Sequence, residues 1–222
     1  MDYSIIIPVY NEQKALPVLI DRLYKINQKI EIIFIDDGST DKTNEILKKN
    51  TDRFKIIENK TNLGKGASLQ KGILASIKKN IFLMDGDLEV DTKSIPDLIK
   101  KFESNDSDAL IGVRWNRFEL QPFEINRLGN FIINEIFNFI YKTNFSDILC
   151  CIKIIKSDKI KMFKIKSKNF EIESELMRII AINKISFIEE KVKYSRRDIS
   201  EGKKLKYSDS WSILKTILLK NN

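Results

Sequence analysis

The stretch "IFLMDGDLEVD" carries an apolar run from Ile81 into four acids, Asp85, Asp87, Glu89 and Asp91. Asp85, Asp87 and Glu89 have period-2 spacing, so in an extended segment leaving a strand their carboxylates share one face. Hard oxygen ligands on one face suit Mg²⁺ or Mn²⁺ when water and phosphate complete the shell. Gly86 between them removes a side chain where a diphosphate needs close approach. A calcium loop is the main rival, but its twelve-residue spacing with a central glycine and closing glutamate is absent.

Composition closes off other chemistries. The 222-residue chain contains no histidine, which excludes mechanisms built on Ser-His-Asp or Cys-His. Its two cysteines, Cys150 and Cys151, are adjacent and lack C-x-x-C spacing, which disfavours a zinc site, a disulfide framework and a thioredoxin-like motif. A reducing cytosol fits them. The count of 39 Lys and Arg against 31 Asp and Glu leaves +8 at pH 7. Such a balance points to anionic partners: phosphorylated ligands, nucleic acid or an acidic membrane surface.

The elements that must position the acids can be read from periodicity. Short β-rich runs, "SIIIPVY" (4–10), "EIIFIDD" (31–37), "FKIIEN" (54–59), "IFLMD" (81–85) and "ALIGVR" (109–114), alternate with helical patterns at 15–26, 43–49, 66–79 and 95–103. This rhythm predicts an α/β fold with a mostly parallel central sheet flanked by helices. Ligands of such sheets bind at the carboxyl ends of the strands. There the chain places "PVYNE", "DDGSTD", "NLGKGAS" and "DGDLE". Taken alone, "DGSTD" is a good turn and helix cap, but four polar strings on one edge argue for a site. The first strand leads to "PVYNE" rather than G-x-G-x-x-G, which excludes a dinucleotide dehydrogenase, and "NLGKGAS" does not satisfy the P-loop pattern. Its Lys65 either meets a phosphate or starts a helix.

The second half is less regular. It reads as an amphipathic helix from Arg127 to Lys142, a strand and turn over 147–158, a helix over 170–183, a strand over 185–195 and a last helix over 211–220. The longest apolar stretch, "FIINEIFNFIY", is interrupted by Asn134, Glu135 and Asn138 and falls short of the roughly 20 residues that span a bilayer. No membrane span and no secretory signal are expected. The 1–222 sequence reads as one domain in two halves, 1–115 and 116–222.

In their order and spacing, "SIIIPVYNE", "EIIFIDDGSTDKT", "NLGKGASLQKG", "DGDLE", "GVR" (112–114), "NRLGNFIIN" and "YSRRDISEGKKLKYSD" resemble the family 2 inverting glycosyltransferases of GT-A fold, the dolichol-phosphate mannosyltransferase group. The resemblance implies that Pro8, Tyr10, Glu12, Asp36 and Asp37 line the nucleotide pocket, with one Asp accepting from the base. Lys65 and Gly86 would complete the donor site, which makes 1–115 the nucleotide-sugar half and 116–222 the acceptor half. Asp85 would face ribose and metal, and Asp87 would bind the metal, Mg²⁺ or Mn²⁺, that bridges the diphosphate of a GDP- or UDP-hexose. Glu89 stands where the mannosyltransferases have glutamine, adding charge beside that metal. Arg114, Arg127 and Arg197, with Lys203 and Lys204, are assigned to phosphate, for which arginine is suited.

The resemblance implies a polyprenyl phosphate acceptor, met by a peripheral protein on the cytoplasmic membrane face. A lipid phosphate is already an anion and needs no general base, which suits a chain without histidine. A hydroxyl acceptor would need one, and Asp147 or Glu173 could serve. The last helix carries Trp211, Ile213, Leu214, Ile217 and Leu218 on one face with Lys215 and Lys220 beside it, a composition fitting either an interfacial helix or one docked on the core. "FIINEIFNFIY" invites the same two readings. Two rivals stand: transfer to a saccharide hydroxyl, and a non-catalytic module whose basic "RRDISEGKKLK" run binds nucleic acid. Against the second, the aromatics do not interleave with that run as stacking platforms would, so no nucleic acid is expected.

Overall fold

In the computed structural model the described residues are 2–26, 30–115, 125–196 and 209–218. Seven strands form one sheet in the order β3-β2-β1-β4-β6-β5-β7. They are β1 (Tyr3–Val9), β2 (Glu31–Asp36), β3 (Lys55–Glu58), β4 (Asn80–Leu83), β5 (Ala109–Val113), β6 (Lys153–Lys156) and β7 (Phe187–Lys191). All neighbouring pairs are parallel except those of β6, which runs antiparallel between β4 and β5. The helices are α1 (Leu16–Tyr24), α2 (Thr43–Lys48), α3 (Lys65–Ala75), α4 (Ile95–Glu103), α5 (Ile125–Tyr141), α6 (Ser157–Lys161), α7 (Ile172–Ile182) and α8 (Asp209–Leu218).

The strands read as unbroken apolar runs because both faces of the sheet are covered. On one face Ile5, Ile7 and Val9 pack with Leu16, Leu19 and Leu23 of α1 and Leu98, Ile99 and Phe102 of α4. On the other, Ile6, Ile33 and Ile35 pack with Leu69 and Ile73 of α3, Phe137 of α5, Leu176 of α7 and Ile213 and Ile217 of α8. Burying each such side chain contributes about 1.5–3 kcal/mol. Proline near the starts of α1 and α4 sits where the missing N–H costs nothing.

Several expected boundaries shift. α3 stops at Ala75 because Ser76 turns extended and its hydroxyl donates to the Ile73 carbonyl. Of the 147–158 stretch only Lys153–Lys156 pairs as a strand. The apolar face of the last helix divides: Ile213 and Ile217 dock in the core, whereas Trp211 and Leu218 stay exposed. Lys220 lies outside the described residues. The chain runs from β1 outward to β2 and β3, then returns to place β4 on the other side of β1. That reversal opens a crevice at the carboxyl ends of β1 and β4, where ligands of such sheets bind.

Candidate active site

The loops after β1 and β2 are tied together by their own polar residues. Asn11 has φ +52, a conformation asparagine tolerates. Its amide oxygen accepts from the Thr40 N–H at 2.8 Å, and its own N–H donates to the Ser39 hydroxyl at 2.9 Å. The Glu12 N–H donates to the Thr43 hydroxyl at 2.8 Å. These bonds hold Pro8, Tyr10 and Glu12 beside "DDGSTD", and Tyr10 is half-buried while Glu12 is buried.

Asp36 and Asp37 are buried and serve mainly as scaffold. Asp36 accepts from the Ser39 N–H and from the Asn44 amide. Asp37 accepts from the Asn59 amide at 2.8 Å and from the N–H groups of Leu63 and Gly64, both at 2.9 Å. Hydrogen bonds to a charged acceptor contribute about 1.5–3 kcal/mol each, so Asp37 is the anchor of the glycine-containing loop. With two of roughly four acceptor positions filled, Asp36 keeps more capacity for a further donor than Asp37 does.

The glycine loop is shaped by packing against the second half of the chain. Gly64 has φ +95, and a Cβ there would strike the Lys168 carbonyl and the Asn169 side chain. Lys65, which the sequence left either meeting a phosphate or starting a helix, is the first residue of α3, and its ammonium is turned inward. Its ammonium lies 2.7 Å from Asp85 and 2.9 Å from Glu173. Burial disfavours that charge, but Asp85 and Glu173 outweigh the penalty and raise Lys65 well above the ordinary lysine range. Glu173 also pairs with Lys153, a fully buried lysine. Burial would raise the Glu173 carboxyl, yet Lys153 and Lys65 hold it below the ordinary range.

The acid segment departs from the extended geometry expected of it. β4 ends at Leu83, and Leu88 takes φ +63, so the period-2 argument for one shared face fails. Asp85 reaches Lys65, and the Asp87 carboxylate accepts from the Glu89 N–H at 3.0 Å. Glu89 accepts from the Tyr194 hydroxyl at 3.0 Å, so its carboxylate is engaged as an anchor for the 193–195 segment. The Ser195 N–H, donating to the Glu89 carbonyl at 2.8 Å, strengthens that junction. Among the described residues no three His, Cys, Asp or Glu side chains converge as a ready-made metal cage. Burial, then the charges of Asp85 and Glu89, push the Asp87 carboxyl up to about 7. Asp85 and Asp87 thus form a pair of oxygen-only donors whose mutual repulsion a divalent cation would relieve, which fits a cation completed by phosphate and water. Gly86 is required for packing as well, since a Cβ there would lie 2.6 Å from Val9.

Beyond the acids lies a cluster of cations and aromatic rings. Arg114 grips Asp147 through Nε and Nη2, each at 2.8 Å, and its backbone N–H also donates to that carboxylate. Burial opposes the Arg114 charge, but Asp147 overrides it and holds the guanidinium above its usual range. The guanidinium stacks 4.4 Å from the Trp115 ring and 5.4 Å from Tyr194, and that of Arg127 lies 5.7 Å from Trp115. Two guanidinium groups on one indole make a planar, phosphate-compatible surface. Asp147 is held from behind: Asn134 and Asn138 of α5 donate to the Phe145 carbonyl, and Asn134 accepts from the Ile148 N–H. The polar residues that break up the apolar run of α5 therefore shape the Asp147 loop. Arg197, Lys203 and Lys204 lie outside the described residues.

Sequence reasoning missed Trp115, Tyr194 and Lys153. Lys153 had a signal, a lone charge inside the apolar run "CIKII", because such a residue is buried only when paired. Trp115 had none beyond its neighbour Arg114, whereas Tyr194 opens the string "YSRRDISEGKKLKYSD" that carried the resemblance but was given no role of its own.

Comparisons with known proteins show the family and the fold. The model of the family described as "Glycosyl transferase family 2" matches residues 4–164. A dodecaprenyl-phosphate galacturonate synthase from Rhizobium johnstonii is 30% identical over 173 residues, covering 74% of this chain and 51% of that protein. A dolichyl-phosphate beta-glucosyltransferase from Dictyostelium discoideum is 34% identical over 128 residues, covering 50% of this chain and 39% of that one. The chain thus spans about half or less of the length of these two relatives. Among solved structures, glucosyl-3-phosphoglycerate synthase from Mycobacterium tuberculosis in complex with Mn²⁺, UDP and phosphoglyceric acid superposes with a TM-score of 0.75 at 14% identity, covering 97% of this chain and 77% of that one. The likeness bears out the expected GT-A arrangement of sheet and helices. With a family match across most of its length and the strand-end loops in the places that fold requires, the chain belongs to the family 2 glycosyltransferases.

Proposed function

We propose that this chain moves a hexose from a nucleotide-diphosphate sugar to a polyprenyl phosphate, with inversion, at the cytoplasmic face of a membrane. The observation that carries the choice of acceptor is the state of the two candidate bases. Asp147 is clamped bidentately by Arg114, and Glu173 lies between Lys65 and Lys153. In each, both carboxylate oxygens are engaged by cations, so neither is placed to take a proton from a substrate hydroxyl. An acceptor that arrives as an anion needs neither. Relatives named for dodecaprenyl-phosphate, dolichyl-phosphate and undecaprenyl-phosphate transfer support the same reading.

In this reading Asp85 and Asp87 hold Mg²⁺ or Mn²⁺, which when bound neutralises charge on the leaving diphosphate. Pro8, Tyr10, Glu12 and Asp36 line the nucleotide pocket, and Asp37 sets the loop that closes it. Arg114 and Arg127, presented on Trp115, hold the acceptor phosphate; Arg197, Lys203 and Lys204 join them by resemblance.

The outer surface of α5 supports the membrane location. Its inner side buries Ile133 and Phe137, while Leu128, Phe131, Ile132 and Phe139 are exposed, Phe139 at 87%. At 100° per residue these four fall within about a third of the helix circumference. The half-buried Glu135 falls on the same arc and interrupts the stripe, while Arg127 and Lys142 near its two ends suit the interface of an acidic bilayer. No helix among the described residues is long and apolar enough to cross one.

The test is nucleotide release from a panel of UDP- and GDP-sugars with Mn²⁺ or Mg²⁺, with and without a short polyprenyl phosphate, for wild type and Asp87→Ala. Metal-dependent release that the lipid phosphate stimulates and Asp87→Ala abolishes is expected. Turnover indifferent to lipid phosphate but stimulated by a saccharide would replace the acceptor assignment with the hydroxyl reading.

A further inference from the structure

Four charges of alternating sign run from the candidate cation site into the interior. Asp85 contacts Lys65, Lys65 contacts Glu173 at 2.9 Å, and Glu173 contacts Lys153. The Lys153 ammonium also donates to the Cys150 carbonyl. Side-chain exposure falls inward along the row, from 26% at Asp85 to 12%, 6% and 0%. The four residues come from the end of β4, the first turn of α3, the first turn of α7 and the start of β6. The row therefore joins the loops of the first half to the elements of the second.

Stability does not account for this arrangement. A buried row of ion pairs is often no more stable than apolar side chains of the same volume, and this one faces the site at one end only. Its electrical effect is more specific. An ammonium shared between two carboxylates neutralises neither, so Lys65 can orient Asp85 while leaving it negative. Lys65 already reaches both Asp85 oxygens, at 2.7 and 2.8 Å; without Glu173 its full charge would act on that carboxylate, which would lose part of its attraction for a cation.

We infer that Glu173 is a positioning residue for the cation site: it shares the Lys65 ammonium and offsets its charge, and so keeps Asp85 attractive to a cation. The inference rests on the proposed reading of Asp85 and Asp87 as that site. It gives Lys65 and Glu173, which the resemblance and the search for a base placed at donor and acceptor, one shared task. Lys153 has the supporting part of compensating Glu173 at the buried end, so that the carboxylate stays ionised when it shares Lys65.

Mn²⁺ binding to the full chain, read from loss of the free Mn²⁺ resonance in EPR without donor or acceptor, tests both layers. Asp87→Asn reports whether the acids bind the cation at all. The Lys153→Met/Glu173→Met double variant removes one charge of each sign while keeping volume, so no unpaired buried charge remains from the pair. A roughly tenfold weaker Mn²⁺ affinity is expected for it, the order of effect of one nearby charge at protein dielectric. Adding Lys65→Met should restore the affinity, because the ammonium whose full charge acts on Asp85 is then gone. Should the double variant fail to fold by circular dichroism, Glu173→Gln carries the same comparison and the same rescue. Unchanged Mn²⁺ affinity in the double variant, with Asp87→Asn still damaging, overturns the inference and leaves the cation site standing. A loss that Lys65→Met does not restore also overturns it, since the inner pair would then act through structure alone. If Asp87→Asn binds Mn²⁺ as wild type does, the cation site fails and the inference with it.

Discussion

Asp147→Asn separates two roles that the sequence left open for one acid. Asp147 is 3% exposed and takes two 2.8 Å hydrogen bonds from the Arg114 guanidinium plus a third, at 3.2 Å, from the Arg114 backbone. Asparagine keeps the shape but removes the charge, and turns an amide NH₂ toward donors that need an acceptor. Removing one partner of a buried ion pair costs about 3–5 kcal/mol, and a side-chain exposure of 12% at Arg114 leaves little water to screen it. At about 2–4 °C per kcal/mol for a chain of this size, the melting temperature should fall by roughly 10 °C. Replacing both partners by apolar residues, Arg114→Met with Asp147→Leu, should recover much of that loss while abolishing transfer. The assays are thermal unfolding and donor turnover against pH. The reasoning is refuted if Asp147→Asn melts within about 2 °C of wild type while kcat drops 10²–10⁴-fold and the acidic limb of the pH profile disappears. That pattern is the signature of a general base, and it would return the hydroxyl acceptor to first place.

Three further outcomes follow from the packing and charge. Gly72→Ala places a methyl against Ile6 and 2.8 Å from the Ile35 side chain; the overpacking should cost about 1–3 kcal/mol in urea unfolding, with Ile35→Val in the same chain recovering part of it. Glu89→Ala removes the acceptor of the Tyr194 hydroxyl and should cost about 1–2 kcal/mol, whereas Glu89→Gln, which keeps an acceptor oxygen, should cost less; urea midpoints decide. Glu173 has a folded-state pKa held below its ordinary 4.5, so its contribution to stability is present above that value and lost as pH falls through the folded pKa. Stability of the wild type should therefore decline below about pH 4.5, and Glu173→Gln should be less stable at neutral pH but show a flatter acid slope, measured by urea unfolding at successive pH values.

The parallel strands and their covering helices were legible because each is a continuous apolar run or a helical stripe with a clear boundary. The position of β6 was not. A four-residue strand inserted antiparallel between β4 and β5 depends on tertiary pairing that no local pattern encodes. The acids were found by type, but their geometry was misjudged, because a positive φ at Leu88 is set by the surroundings and period-2 reasoning assumes a strand. Lys65 shows the same limit. Its place after a glycine suggested a ligand, while its partner Glu173 lies 108 positions away in sequence (173 − 65), beyond the reach of any motif.

The polar strings at the strand ends divide into residues that build the crevice and residues left to act in it. Asn11, Ser39, Thr40, Thr43, Asp37 and Asn59 spend their hydrogen-bonding groups on one another or on neighbouring backbone. A loop tied in this way loses little freedom when a ligand arrives, so binding energy is not consumed in ordering it. What such a frame can present is restricted to groups that its own bonds do not saturate. On the side proposed for the nucleotide these include Asp36, and at the proposed cation site Asp85 and Asp87 face each other with a repulsion that a cation would relieve. Farther out, Arg114 is fixed by Asp147 through Nε and Nη2 and keeps further N–H groups that this carboxylate does not take, beside Trp115 and Arg127. A negative pair that calls for a metal, set next to two oriented guanidinium groups, can hold two phosphorylated ligands at once through opposite means. A diphosphate would be held through a shared cation and a monophosphate by direct pairing. Under the proposed function that difference in recognition would keep donor and acceptor from exchanging places, which is the physical reason the arrangement suits transfer between two anions.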